Sequence, residues 1–240
     1  MKLNNQVVVI DAGNTSIKVG LFENSVLKEF YRVDLEKFSG LLSSFETNNA
    51  IISSVLAKEQ TSKISRLFNQ PILLTSETKL PIKLKYETKN TLGIDRICNA
   101  VYAHSQLKKG IGVIIDVGTC IKFDVVSEEG DYLGGSISPG IQLRYNSLND
   151  YTGNLPRLKI KSKTKITGID TVTSIQSGVI NGIQSEIQGF IDQYSSQFQN
   201  LTFFITGGDA QCFEFHSKNS IFANENLTLL GLNNIYEFNA

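Results

Sequence analysis

The chain opens on an unbroken apolar, β-branched run, Val7-Val8-Val9-Ile10, which predicts a buried strand. Turn chemistry interrupts it at Asp11-Ala12-Gly13-Asn14-Thr15-Ser16, and apolar positions resume from Ile17 to Phe22 as a second strand. Glu23-Asn24-Ser25 reads as a hairpin turn into a third strand, Val26 to Arg32. Helical periodicity follows at about Leu35 to Phe45, Glu59 to Phe68 and Asp95 to Leu107, with short strand patterns at Ala50 to Ser53 and Ile72 to Leu74.

The opening pattern then returns. Val113-Ile114-Ile115-Asp116-Val117-Gly118-Thr119-Cys120-Ile121-Lys122-Phe123 repeats Val8 to Val19 with one residue fewer in the turn. A repeat at this long period predicts two similar α/β lobes, 1–108 and 109–240, with the boundary near Lys108-Lys109-Gly110. Two copies of one lobe should set their Asp-x-Gly turns facing each other across a cleft. In the second half, Tyr132 to Ser138 reads as a third strand. Thr171 to Tyr194 reads as a long helix with Val172, Ile175, Val179, Ile183 and Ile187 as its apolar stripe. Leu201 to Thr206 reads as a buried strand ending at Gly207-Gly208 before a helix, and Leu227 to Phe238 as a closing amphipathic helix of the second lobe. The polar stretch Leu155 to Asp170, with Lys159, Lys161, Lys163 and Lys165, is expected to be a solvated edge or loop.

Composition narrows the function classes. Hydrophobic residues are 41% and charged residues 19% of 240, which suits a packed globular chain and not a disordered one. Net charge is zero, so no global field draws in nucleic acid or an anionic membrane. No apolar run approaches the roughly 20 residues that span a bilayer, and the N-terminus shows no signal-peptide pattern. Cys98, Cys120 and Cys212 have no metal or disulfide spacing and are expected to be reduced thiols of a cytoplasmic protein. His104 and His216 are isolated, which leaves a histidine metal site or a Ser-His-Asp triad without support.

The chemistry lies in the repeated turns. A buried strand delivers Asp11 to a tight turn, Gly13 lets backbone N–H groups approach a phosphate, and Asn14, Thr15 and Lys18 add donors and charge. Asp11 is placed to hold Mg²⁺, directly or through water, since Mg²⁺ takes one or two carboxylates plus substrate phosphates. A plain Asx-capped turn explains one such motif, but not its recurrence at Asp116. No glycine precedes a lysine, so the common G-x-x-x-x-G-K-[ST] phosphate loop is missing, and no G-x-G-x-x-G opens a helix. The strand-to-glycine junction Thr206-Gly207-Gly208 offers bare backbone against which adenine and ribose can lie.

Two Asp-x-Gly turns followed by Thr-Gly-Gly resemble the acetokinase, sugar kinase, heat-shock chaperone ATPase and actin superfamily. Within it the chain resembles the type III pantothenate kinases over nearly its whole length. The matching motifs are Asp11 to Lys18 (D-x-G-N-T-x-x-K), Gly93-Ile94-Asp95-Arg96 (G-x-D-R), Asp116-Val117-Gly118-Thr119, Gly134 to Gly140 (G-G-x-I-x-P-G) and Thr206-Gly207-Gly208. The resemblance implies an α/β fold of two duplicated ribonuclease-H-like, actin-like ATPase lobes, each a mixed sheet flanked by helices, with ATP in the cleft between them. It implies ATP-dependent phosphorylation of pantothenate to 4'-phosphopantothenate, which opens coenzyme A biosynthesis.

By the same resemblance, Asp95 is the catalytic base. Tyr86, Gly93, Ile94, Arg96 and Thr171 contact the substrate. Asp11, Ala12, Gly13, Asn14, Thr15, Ser16, Ile17, Lys18, Gly118, Thr119, Thr206, Gly207 and Gly208 bind ATP. Local alternatives are a helix cap at Asp95 or Thr171 and a packed aromatic at Tyr86. The resemblance further implies Mg²⁺ with ATP, a monovalent cation, K⁺ or NH₄⁺, at Asp116, and a homodimer. The second phosphate motif departs from the family pattern, with Cys120-Ile121-Lys122 where the family has Ala-x-Thr. The Lys122 ammonium is therefore expected near Asp116, partly replacing that ion. Alternative functions are a non-catalytic regulator on the same scaffold or another small-molecule kinase of the superfamily.

Overall fold

The computed structural model describes residues 6–13, 16–34, 38, 40–41, 45, 49–160 and 164–240. By contact the chain divides into two units: Met1–Ser105 together with Asn226–Ala240, and Gln106–Glu225.

The first unit is built on a five-stranded sheet. Its strands are β1 (Gln6–Ala12), β2 (Ile17–Glu23), β3 (Val26–Val33), β4 (Ala50–Ser54) and β5 (Ile72–Leu73), in the order β3-β2-β1-β4-β5. β1, β2 and β3 form an antiparallel meander, and β4 and β5 extend it in parallel. The β2–β3 turn places Asn24 and Ser25 at φ of 50° and 66°, the left-handed pair of a tight hairpin. Val8, Ile10 and Ala12 alternate with Ile17, Val19 and Leu21 to form one apolar face. It packs with Phe38 and with Ile64 of α1 (Lys58–Ser65). A two-residue strand, β6 (Lys83–Leu84), precedes α2 (Ile94–Gln106). Of the helix expected at Leu35 to Phe45, residues 35–37, 39 and 42–44 lie outside the described residues.

The second unit repeats the plan. β7 (Ile111–Val117), β8 (Cys120–Ser127) and β9 (Asp131–Pro139) form the antiparallel meander. β10 (Leu201–Thr206) and β11 (Ser220–Ala223) extend it in parallel, giving β9-β8-β7-β10-β11. Val113, Ile115, Val117, Ile121 and Phe123 bury one face under α3 (Ile141–Asp150) and α4 (Thr171–Gln197). α4 starts on a reciprocal capping box between Asp170 and Thr173, so Asp170, not Thr171, is the cap. The described part of Leu155 to Asp170 carries no strand, and Lys159 and Lys165 are exposed; Lys161 and Lys163 lie outside the described residues.

Two expectations are corrected. The helix after Gly207-Gly208 is only one short 3-10 turn, Ala210–Cys212. The closing helix α5 (Leu227–Asn239) belongs by contact to the first unit, where it packs on β1, β2 and β4. Its Gly231 crosses α2 so closely that a Cβ would stand 1.9 Å from the Cys98 carbonyl oxygen, a contact no periodicity reveals. By contact the first unit ends at Ser105 and takes back Asn226–Ala240, where the expected boundary was 108.

Candidate active site

Alternation along β1 sends Val8, Ile10 and Ala12 into the core, so Asp11 emerges on the opposite face. In register it stands between Ser53 of β4 and Lys18 of β2, and Ser53 is buried. The Gly13 N–H donates to the Ser16 carbonyl at 3.1 Å, and the Val55 N–H donates to the Ala12 carbonyl at 3.1 Å, tying turn and β4 to the end of β1. Asn14 and Thr15 lie outside the described residues.

The second unit builds the same corner. Val113, Ile115 and Val117 face the core, so Asp116 emerges on the other face between Thr206 of β10 and Lys122 of β8. The Gly118 N–H donates to the Cys120 carbonyl at 3.1 Å, and the Asp209 N–H donates to the Val117 carbonyl at 3.0 Å. Thr119 is exposed at the tip. Lys122 Nζ lies 2.7 Å from Asp116 Oδ2, with side chains only 15% and 13% exposed. Two glycines shape this corner. Gly207 sits at φ +99°, and a Cβ there would stand 2.2 Å from the Val117 carbonyl oxygen. Gly140 donates its N–H to the Thr119 carbonyl at 3.0 Å, and a Cβ on it would stand 2.1 Å from the Gly118 carbonyl oxygen. Gly140, the last residue of the Gly134 to Gly140 motif, therefore seats the Asp116 turn. Burial raises the Asp209 carboxyl above its usual range. This half-buried acid directly follows Thr206-Gly207-Gly208, a position the sequence reading passed over.

The third element is the start of α2. Asp95 lies in its first turn, where the helix dipole favours a carboxylate. Its Oδ1 accepts the Arg96 N–H at 2.9 Å, and a Cβ on Gly93 would stand 2.6 Å from that oxygen. Arg96 is 4% exposed, and its guanidinium carbon lies 5.8 Å from the centre of the Tyr86 ring, a cation–π distance. Just past Asp95, the Cys98 thiol is pushed well up, first by burial and then by the negative charges of Asp11 and Asp95. Two carboxylates from separate elements act on one sulfur, so β1 and α2 bring Asp11 and Asp95 into one region of the first unit. The thiol itself stays protonated and inert.

Tyr86, Gly93, Asp95 and Arg96 thus gather at the start of α2 in the first unit, and Ile94 is the helix's first residue. Gly118, Thr119, Thr206, Gly207 and Gly208 gather around Asp116 in the second. Thr171 opens α4 and lines a groove of about 780 Å³ with Arg144, Ser147, Leu155 and Ile175. Arg144 is itself held by Glu186 and by the Pro139 carbonyl, which its Nε reaches at 2.8 Å, and Ser138 also donates to Glu186. This network was not anticipated from sequence, because its members lie on three separate elements. Among the described residues, no three His, Cys, Asp or Glu side chains cluster in a metal-binding group.

The type III pantothenate kinase family profile matches residues 7–193. A type III pantothenate kinase of Christiangramia forsetii is 42% identical over 238 residues, covering 97% of this chain and 98% of the relative. One of Flavobacterium johnsoniae is 40% identical over 240 residues, with the same coverage. Among solved structures, a protein named as a Baf family transcriptional activator from Campylobacter jejuni superposes with a TM-score of 0.64 at 22% identity, covering 97% of this chain and 98% of that one. An inorganic polyphosphate/ATP-glucomannokinase from Arthrobacter sp. strain KM superposes with a TM-score of 0.52 at 13% identity, over 99% and 100%. These structural likenesses bear on the fold, a duplicated α/β ATPase-type architecture. The sequence match goes further: the chain belongs to the type III pantothenate kinase family.

Proposed function

We infer that this chain phosphorylates the primary hydroxyl of pantothenate with ATP, the first committed chemistry toward coenzyme A. The observation that carries the reading of the site is the start of α2. There Asp95 accepts the Arg96 N–H, the Arg96 guanidinium lies over the Tyr86 ring, and the charges of Asp95 and Asp11 both raise the Cys98 thiol. An alcohol is a weak nucleophile at neutral pH, so a positioned carboxylate gives it direction and takes its proton. The O–H bond breaks toward Asp95, the oxygen bonds to the γ-phosphorus, and the bond to the β-phosphate oxygen breaks, releasing ADP. Arg96 offers a fixed fork of donors to the carboxylate or amide oxygens of pantothenate, and the Tyr86 ring holds that fork in place. Thr171 is a further substrate contact.

Asp11 and its buried neighbour Ser53 are hard oxygen donors that fit Mg²⁺ arriving with ATP. When bound, the ion screens phosphate charge, and the protein mainly positions the oxygens. The Asp11 and Asp116 turns with Lys18 serve the phosphates, and Thr206-Gly207-Gly208 serves the adenosine. A second copy of the chain is the expected partner, supported by apolar Leu143, Tyr151, Ile169 and Val172, all exposed on and around α3 and α4. The three free cysteines fit a reducing cytoplasm. No helix among the described residues is long and apolar enough to cross a membrane.

The test is Asp95→Asn, read as pantothenate-dependent ADP release against a blank, with ATP binding measured separately. Loss of a general base predicts a fall of about 10²–10⁴-fold with ATP binding retained. A rate near that of the wild type overturns the base assignment.

A further inference from the structure

The resemblance assigns Asp116 a potassium or ammonium ion, and a lysine ammonium already engages the carboxylate that would hold it, leaving the Thr206 hydroxyl as the one neutral side-chain oxygen paired with Asp116 in the ladder. An alkali cation gives up hydration only for several protein oxygens. Asp116 Oδ2 is already engaged at 2.7 Å by Lys122 Nζ, and the side chains of Cys120 and Ile121, on the returning strand, offer no oxygen. The ammonium is also delivered by a strand and not by a mobile loop. Asp116 and Lys122 are direct partners in the antiparallel β7–β8 ladder, on the same face of the sheet, and Thr206 flanks Asp116 from β10. Two residues along β8, Asp124 shares the Lys122 face and accepts the Tyr132 hydroxyl at 2.6 Å. The Lys122 ammonium therefore meets the Asp116 carboxylate on a largely buried face, as a positive charge fixed to the strand itself.

We propose that the Lys122 ammonium is a built-in monovalent cation, so that this kinase binds ATP and turns over without added potassium or ammonium. A lysine ammonium and a free ammonium ion present the same chemistry, a compact N–H-donating point charge. Tethering removes the cost of capturing the ion from solution. The proposal rests on the reading that Asp116 lies at the ATP phosphate site, and its test reads ATP binding independently of phosphoryl transfer.

The experiment measures Mg·ATP affinity by calorimetry and pantothenate phosphorylation by ADP release, for the full chain in tetramethylammonium, sodium, potassium and ammonium chloride at constant ionic strength. The wild type is expected to vary by less than about twofold across the four salts in both readouts. Lys122→Ala is expected to lose more than roughly tenfold in ATP affinity in tetramethylammonium and to recover most of it, saturably, in potassium or ammonium. Lys122→Met keeps the stem that packs along the strand and is expected to behave the same way if Ala proves poorly folded. More than about tenfold activation of the wild type by potassium or ammonium overturns the proposal. So does a Lys122→Met protein that binds ATP as the wild type does in tetramethylammonium. An Asp95→Asn protein that stays active overturns the base assignment alone and leaves the calorimetric series to decide this one.

Discussion

The Asp11 and Asp116 corners are one construction made twice, and the places where they diverge show what each is for. In both, an apolar strand ends in Asp-x-Gly, the Asp faces away from the core, and a lysine occupies the opposed slot of the antiparallel neighbour. In both, an N–H from beyond the fourth strand of the sheet closes on the carbonyl that follows the Asp. The first corner closes its ladder over four residues, 13–16, and the second over three, 118–120. On the parallel side, Asp11 meets the small hydroxyl of Ser53, while Asp116 meets Thr206 at the head of a glycine pair. The second corner carries the Asp116–Lys122 ion pair at 2.7 Å, and the proposed function gives the Asp11 corner the Mg²⁺ that arrives with ATP.

The largest expected effect tests those proposed roles directly. If Asp11 holds Mg·ATP as proposed, Asp11→Asn should lower phosphorylation by at least about 10³-fold with little change in unfolding midpoint. Asp116→Asn instead strands the Lys122 charge on a largely buried face. It should lower unfolding free energy by up to about 3 kcal/mol in urea titrations, as removal of one partner from a buried pair does. If the two variants show the same balance of rate loss and stability loss, the corners are not functionally distinct.

Much of this was legible beforehand, for identifiable reasons. The repeated strands are buried and β-branched, so the run Val7 to Ile10 and its echo at Val113 to Ile115 stand out in any reading. Lys122 was expected near Asp116 because it stands where the family motif has a hydroxyl residue, and the β7–β8 register pairs the two. What was missed lacks a local signal. α3 buries only Ile141 and Tyr145, too few for a stripe, and β11 is short and exposed throughout. α5 shows an amphipathic pattern, but which unit it covers depends on Gly231 meeting α2 far away in sequence. The adjacent Asp170 caps α4, so Thr171 was a plausible cap from spacing alone, and only the backbone geometry distinguishes them.

The glycine pair after β10 has no counterpart at the end of β4, where Ser54 runs directly into Val55. Gly207 and Gly208 should therefore respond differently to a methyl group. Gly207→Ala forces a left-handed residue against the Val117 carbonyl, and should cost about 2 kcal/mol or more of stability along with ATP affinity. Gly208 has open space where a Cβ would go, so Gly208→Ala should leave the unfolding midpoint unchanged. Any rise in the KM for ATP then reports on the nucleotide itself approaching that backbone. A Gly208→Ala protein with wild-type KM would remove the adenosine role from this junction while leaving its folding role intact.

The smallest effect compares the outer hairpins. The β2–β3 turn holds Ser25 at φ 66°, whereas the β8–β9 turn holds Gly130 at φ 80°. A left-handed residue with a Cβ costs about 1 kcal/mol relative to glycine. The reciprocal pair Ser25→Gly and Gly130→Ser should therefore shift urea midpoints in opposite directions. The gain at Ser25 should be the smaller change, because its hydroxyl also donates to Glu237 of α5 and that bond is lost. If Ser25→Gly destabilises instead, the link from turn to closing helix outweighs turn strain. The β2–β3 hairpin would then draw more from its tie to the closing helix than glycine's freedom returns.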